Sequence, residues 1–247
     1  MPLTPERVLK LQFRCAMYFD GIDDYVMTEK SGIPITTEFT GMVWAWIDPT
    51  AVLHFSRFFG MDSYYIEFSC GAGGGSQLGY YYSRNGGRWI WTGVSAPLGT
   101  WFEATLRFNN GVTDVFLNTS KVFTRTEPGT SLKAYLDKVT LAWTFSLDTS
   151  LRYKGYTAHV LIYTRALSDS EIEWNYLYPD NPVRDGLVLW LYADPAYVKD
   201  IDNDGVLEWI DLSGYNNHGK IYGATLVQLI KSASRVVQAQ RVLPVAR

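Results

Sequence analysis

Residues 102–117 read FEATLRFNNGVTDVFL, and the fold class follows from how this stretch must turn. Phe102 to Phe108 and Val112 to Leu117 are strand-forming runs, and Asn109-Asn110-Gly111 between them supplies the positive φ angles of a tight antiparallel hairpin. The device recurs where Tyr80 to Ser83 and Arg88 to Trp91 flank Arg84-Asn85-Gly86-Gly87. Residues 11 to 19 alternate strictly, with Leu11, Phe13, Cys15, Met17 and Phe19 on one side and Gln12, Arg14, Ala16 and Tyr18 on the other. Phe39 to Ile47 does the same, with Trp44 and Trp46 opposite Val43, Ala45 and Ile47, and further strands read at 64–69, 137–143 and 156–163. One helix interrupts them: Ser168-Asp169-Ser170-Glu171 is a capping box, Ile172, Trp174, Tyr176 and Leu177 follow, and Pro179 ends it. Many strands and one short helix specify an all-β, two-sheet antiparallel sandwich.

The chain has 247 residues, 47% of them hydrophobic and 15% aromatic, enough to build one core without staples. Its 17 Tyr and 9 Trp exceed the needs of a core, so some rings should face outward. A formal net charge of -3 gives no reason to expect nucleic acid or an anionic membrane as partner. Cys15 and Cys70 are too few for a disulfide scaffold and form either one bridge or two buried thiols. No secretory signal precedes the first strand and no apolar run is long enough to span a membrane, so a working place at an extracellular surface or on a virion would need another route out of the cell.

Four segments together resemble the laminin-G-like, concanavalin A-like jelly-roll superfamily. They are residues 18–26 (YFDGIDDYV), 39–47 (FTGMVWAWI), 101–118 from Trp101-Phe102 through Phe116-Leu117-Asn118, and 158–172 (AHVLIYTRALSDSEI). The resemblance implies two curved sheets packed face to face and, in most members, a glycan- or protein-binding role. A fifth segment, Gly186 to Leu191 followed by Trp209 to Ala224, resembles the opening of such domains, yet here it comes after the helix. The chain then divides into an N-terminal tail over 1–10, a jelly roll over 11–225, and a basic, apolar tail over 226–247. Residues 186–225 either close the same sandwich as a circular permutation, or form a truncated second domain, or are strands lent to a neighbouring copy. The tail carries Lys231, Arg235, Arg241 and Arg247 without an acidic residue, and Leu226, Val227, Leu229, Ile230, Val236, Val237, Val242 and Leu243 are its candidate assembly contacts with other copies of the chain.

Asp200-Ile201-Asp202-Asn203-Asp204-Gly205-Val206 through Asp211 has the spacing of a calcium loop. Asp200, Asp202, Asp204 and Asp211 would offer carboxylates and Val206 its carbonyl, although Asp211 replaces the usual long Glu and an Asx-rich turn reads as well. Asp20, Asp23 and Asp24 form a second acidic cluster in a strand-ending turn, and Asn118-Thr119-Ser120 is a glycosylation sequon. Gly71 to Ser76 lacks the Lys-Ser/Thr ending of a phosphate loop and reads as a flexible connection. Catalysis finds little support: Glu67 stands alone on its strand, Glu171 and Glu173 do not face each other on the helix, and His54, His159 and His218 lack metal-ligand spacing. Trp44 with Trp46 and Trp89 with Trp91 put two rings on one strand face each, a geometry suited both to stacking on sugars and to an inner sandwich face.

The leading expectation is a non-catalytic structural or adhesive surface protein that self-assembles into a filament or virion through its terminal strands. Arg241-Val242-Leu243-Pro244 also resembles closing segments of surface proteins from viruses of heat-loving archaea. The alternative is a monomeric lectin-like module that binds cell-surface glycans, with calcium as its cofactor. A glycoside hydrolase ranks last.

Overall fold

The computed structural model describes residues 13–29, 32–51, 53, 55–61, 66–71, 75–82, 87–132, 134–136, 138–142, 153–231 and 236–241. The hairpin of residues 102–117 becomes β9 (Trp101–Asn109) and β10 (Val112–Leu117), with Asn110 at φ 47° and Gly111 at φ 90° in the turn. They belong to a first sheet centred on β4 (Glu38–Ile47) and β14 (Lys154–Tyr163). β11 (Ser120–Thr126) completes the β10 side, while β1 (Cys15–Asp20), β19 (Thr225–Lys231) and β20 (Val236–Arg241) follow one another beyond β14. β15 (Leu187–Tyr192) pairs with the C-terminal half of β14, beyond the stretch that β1 occupies.

The second sheet runs in the order β16 (Val198–Lys199), β17 (Glu208–Trp209), β18 (Gly219–Tyr222), β2 (Tyr25–Thr28), β13 (Val139–Leu141), β5 (Ser56–Met61), β6 (Ile66–Cys70), β7 (Gln77–Tyr82) and β8 (Arg88–Ser95). β3 (Ile33–Ile35) and β12 (Ala134–Leu136) form a separate short pair. Every pairing between named strands is antiparallel, as the short polar turns require. Tyr64 and Tyr65, Arg84 to Gly86, His54, Val242 and Leu243 lie outside the described residues.

Alternation delivers the core. Phe39, Val43, Ala45 and Ile47 of β4 and Phe102, Ala104, Leu106 and Phe108 of β9 meet Phe59, Phe68 and Tyr80 of the facing sheet. On the outer face of the first sheet a second apolar layer holds Met42, Trp44, Leu161 and Tyr163 beneath α1 (Asp169–Leu177), which contributes Ile172 and Tyr176. The capping box forms as the sequence predicts. Arg165 grips the Glu171 carboxylate at 2.6 and 3.0 Å and pushes its pKa down to about 2. Arg107 ties the helix to the sheet, bonding the Leu167 carbonyl at 2.6 Å and Asp169 at 2.7 Å while pairing with Asp114.

Residues 187–231 supply strands to both sheets of their own chain. β15 lies against β14, β18 against β2 and β19 against β1, and Trp209 is fully buried in the core. Cys15 and Cys70 are free, buried thiols, and burial pushes the Cys70 thiol up to about 12.

Candidate glycan-binding surface

The four tryptophans divide two and two. Trp44 is fully buried: it stacks on His159 at 4.6 Å and 25° and meets Phe13 edge-on at 6.4 Å. It is a core residue, sealed by a ring from the neighbouring strand β14 and by Phe13, which precedes β1. Trp46, two residues on, stays half-buried and sets its ring edge-on to Tyr156 at 5.3 Å, so these two do not make a joint platform.

Trp89 and Trp91 do. β8 is the edge strand of the second sheet, and the two rings lie 5.4 Å apart with planes only 15° from parallel, both partly exposed. The cause is local: Trp91 pairs with Gly79, where a Cβ would fall 2.3 Å from the indole, so the glycine lets the ring settle on the strand beneath it. Trp89 pairs with Tyr81, 5.8 Å away, and Phe55 touches both indoles at 5.1 and 5.3 Å. Arg57 sits 5.5 Å from the Trp89 ring, where a cation is attracted by the π face. Its charge is spent on Glu67, which accepts at 2.7 Å from both Nε and Nη2. Burial raises the Glu67 pKa and the guanidinium opposes it, so the partly exposed rings adjoin a buried ion pair. Ser69, on the neighbouring strand, has a buried hydroxyl without a hydrogen-bond partner.

The acidic loop does not converge as its spacing suggests. Asp200, Asp202 and Asp204 accept from the backbone amides of Gly205, Asp204 and Val206, the bonds of an Asx-rich turn. Lys220 then bridges Asp202 at 3.2 Å and Asp204 at 2.6 Å, holding the Asp204 pKa down. Asp211 points elsewhere: buried, it accepts from the amides of Trp190, Ser213 and Asn217 and from the Ser213 hydroxyl. Glu208 takes its place, with one oxygen within 4.8 Å of oxygens of Asp200 and Asp202, and Asp200 Oδ1 is buried without a partner. Val206 is half-buried, and its amide is held by Asp204. Asp20, Asp23 and Asp24 also come within 4.8 Å of one another, yet Asp20 and Asp24 cap the turn, accepting from Ile22 and Asp20 amides. A shallow cleft of about 410 Å³ opens beside Lys220, lined also by Glu29, Lys138 and Tyr222, at the opposite side of the sheet from Trp89 and Trp91.

Of the tail residues, Leu226 is buried in the sandwich core, Val227 is buried in β19, and Leu229 packs on the layer beneath the helix. These three are consumed within the chain. Ile230, Val236 and Val237 fall in the β19–β20 hairpin, whose last strand pairs, among the described residues, with β19 alone.

A two-sheet sandwich with these strands matches the sequence profile of the concanavalin A-like lectin/glucanases superfamily over residues 20–173, more than half of the chain. The chain belongs to that superfamily. No curated protein sequence matches this lectin/glucanase-superfamily chain. Among solved structures, it is similar to a Bacteroides ovatus protein assigned to carbohydrate binding, with TM-score 0.70 and 15% identity over 88% of this chain and 60% of that one. It thus spans about 60% of the length of that protein. It is also similar to a heptameric SAP-like pentraxin of Limulus polyphemus, with TM-score 0.53 and 13% identity over 66% of this chain and 82% of that one. A third likeness is to domain 4 of an extracellular arabinanase from Geobacillus stearothermophilus, in complex with arabinotriose, with TM-score 0.50 and 18% identity over 64% and 74% of the two chains. At such identities these likenesses concern the fold.

Sequence reasoning missed several residues of the superfamily member's candidate surface. Phe55 and Arg57 come from a different strand region, and only the long-range register brings them to Trp89. Tyr81 was legible, because it lies two residues from Gly79 and so shares its face. Glu208 sits at a carboxylate position of the acidic loop that its spacing alone did not favour over Asp211.

Proposed function

We propose that this chain is a non-catalytic recognition module that binds neutral glycans at an extracellular surface through the Trp89–Trp91 platform. The observation that supports it is the near-parallel, partly exposed indole pair seated over Gly79. A sugar presents an apolar C–H face to such rings and hydroxyls to their polar neighbour, here the partly exposed Tyr81. Glu67 is buried and paired with Arg57, closed to a substrate, and the likeness in fold to a protein assigned to carbohydrate binding supports recognition over hydrolysis. The test is calorimetric titration with neutral linear oligosaccharides. Trp91→Ala should weaken binding at this surface about tenfold, the loss of roughly 1.4 kcal/mol of ring contact. Unchanged affinity in Trp91→Ala would remove the platform from this role.

Calcium enters this reading as a rim ion near Asp200, Asp202 and Glu208, where the unpartnered Asp200 oxygen would serve as one of its ligands. A second reading, self-association into a filament or virion, draws support from β20, which among the described residues pairs on one side alone and could accept another strand on the other. Light scattering of the full chain at rising concentration separates the two readings: constant monomer mass removes assembly.

A further inference from the structure

We infer that the outer face of the first sheet carries a second carbohydrate subsite, an inference that rests on the glycan reading above. The register creates it. Tyr18 pairs with Tyr156, Tyr156 with Trp46 and Trp46 with Trp101, so four aromatic residues from β1, β14, β4 and β9 form one row at right angles to the strands. Trp101 is buried, 6.2 Å from Phe13, and closes one end of the row. The other three stay partly exposed: Tyr18 and Tyr156 have centroids 5.0 Å apart and planes tilted by 44°, and Tyr156 and Trp46 lie 5.3 Å apart and edge-on at 68°. These separations track the spacing of neighbouring strands, about 4.8 Å.

The next row toward the sheet end is polar. Asp20 pairs with Lys154, whose ammonium lies 2.9 Å from the Thr50 hydroxyl and 3.6 Å from Asp48. Burial, with the nearby aspartates, raises the pKa of Tyr18, and burial with Asp48 raises that of Tyr156, so both phenols remain hydrogen-bond donors. Aromatic rings therefore stand beside a line of acceptors and donors in the order carboxylate, ammonium, carboxylate. That suits a twisted sugar chain lying across the strands, with C–H bonds against the successively tilted rings and hydroxyls toward the polar row. A strand-forming peptide is a poorer fit, because its backbone needs an unpaired sheet edge and this row lies on paired strands. One row inward the surface closes, since Trp44 is stacked under His159. Because Trp89 and Trp91 belong to the other sheet, a single chain would engage two glycan segments, and a polymer would be held by both.

The experiment is calorimetry of the full chain with cellohexaose, xylohexaose, laminarihexaose and arabinohexaose, on wild type, Trp91→Ala, Tyr156→Ala and Tyr18→Ser. The expected wild-type stoichiometry is two sugars per chain. Trp91→Ala should leave one site, Tyr156→Ala should leave the other, and Tyr18→Ser should weaken the same site as Tyr156→Ala by about tenfold. Cooperative melting by circular dichroism confirms each fold, and Tyr18→Ser, at a partly exposed position, decides if Tyr156→Ala fails to fold. One wild-type site that Trp91→Ala abolishes, with Tyr18→Ser unchanged, overturns the second subsite and leaves the first. No heat with any of the four sugars overturns both.

Discussion

At the residue scale, one cross-strand row holds two buried titratable groups on either side of Trp44. His159 pairs with Trp44 and Trp44 with Glu103, all three fully buried. Neither His159 nitrogen has a hydrogen-bond partner, and burial drives its pKa down to about 3. The unfolded chain binds that proton at about 6.5, so the contribution of neutral His159 is complete above that pH and is lost as pH falls toward 3, at roughly 1.4 kcal/mol per unit. Glu103 behaves oppositely. Burial pushes its pKa up to about 8 despite the Thr105 hydroxyl, and its Oε2 is unpartnered. Stability from the protonated acid is complete below its ordinary value of 4.5 and is lost as pH rises through 8. The two slopes cancel between about pH 4.5 and 6.5, which is where their combined contribution is greatest. Urea unfolding checks both halves: Glu103→Gln should flatten the alkaline slope, and His159→Phe the acid one. Parallel offsets at pH 4.5, 6 and 8 would mean that neither group titrates under burial.

At the element scale, the segment from Asp200 to Asn217 separates a metal ligand from a structural clip. Asp211 satisfies four donors that fasten the 212–217 loop to β15, and Asn217 adds a bond to the Val188 carbonyl at 2.7 Å. Asp211→Ala strands the amides of Trp190 and Asn217 and should cost about 3 kcal/mol in urea unfolding. It should leave any calcium heat intact, whereas Asp200→Ala should abolish that heat in calorimetry of chelator-stripped protein. The reverse pattern would return Asp211 to the metal site. Local chemistry explains what the sequence disclosed here. The capping box involves residues three apart and formed as read, and long alternating runs such as 39–47 became strands almost to the residue. β16 and β17 have two residues each, too few for a period to show, and they set the direction in which Asp211 turns. Trp44 and Trp46 are alike in sequence, and only the packing of Phe13 and His159 on the first distinguishes them. The Trp89–Trp91 pair was legible because both rings and the glycine beneath lie on neighbouring strands.

At the scale of the whole molecule, the order of strands along the chain departs from their order in space. β15, β18 and β19 come last in sequence but lie beside β14, β2 and β1. If this is a circular permutation, the connections that surround them are replaceable, and the chain can be reopened at another exposed turn. Arg184 and Asp185 provide one, both exposed and lying between α1 and β15. Arg247 can then be joined directly to Met1, because eighteen residues, 242–247 and 1–12, separate Arg241 from Phe13. Such a length reaches about 60 Å when extended, against roughly 10 Å for the two strand steps between β20 and β1. Loop-closure entropy changes slowly with length, so the permuted chain should unfold cooperatively within about 1 kcal/mol of the parent. It should also have the mass of one chain by light scattering, since the pairings of β15, β18 and β19 are made within a single copy. A permuted chain that folds only as a dimer would mean that these strands are exchanged between copies. That outcome would shift the balance from glycan recognition toward assembly, because β19, one of the exchanged strands, lies between the Tyr18 strand and β20, the last described strand of its sheet.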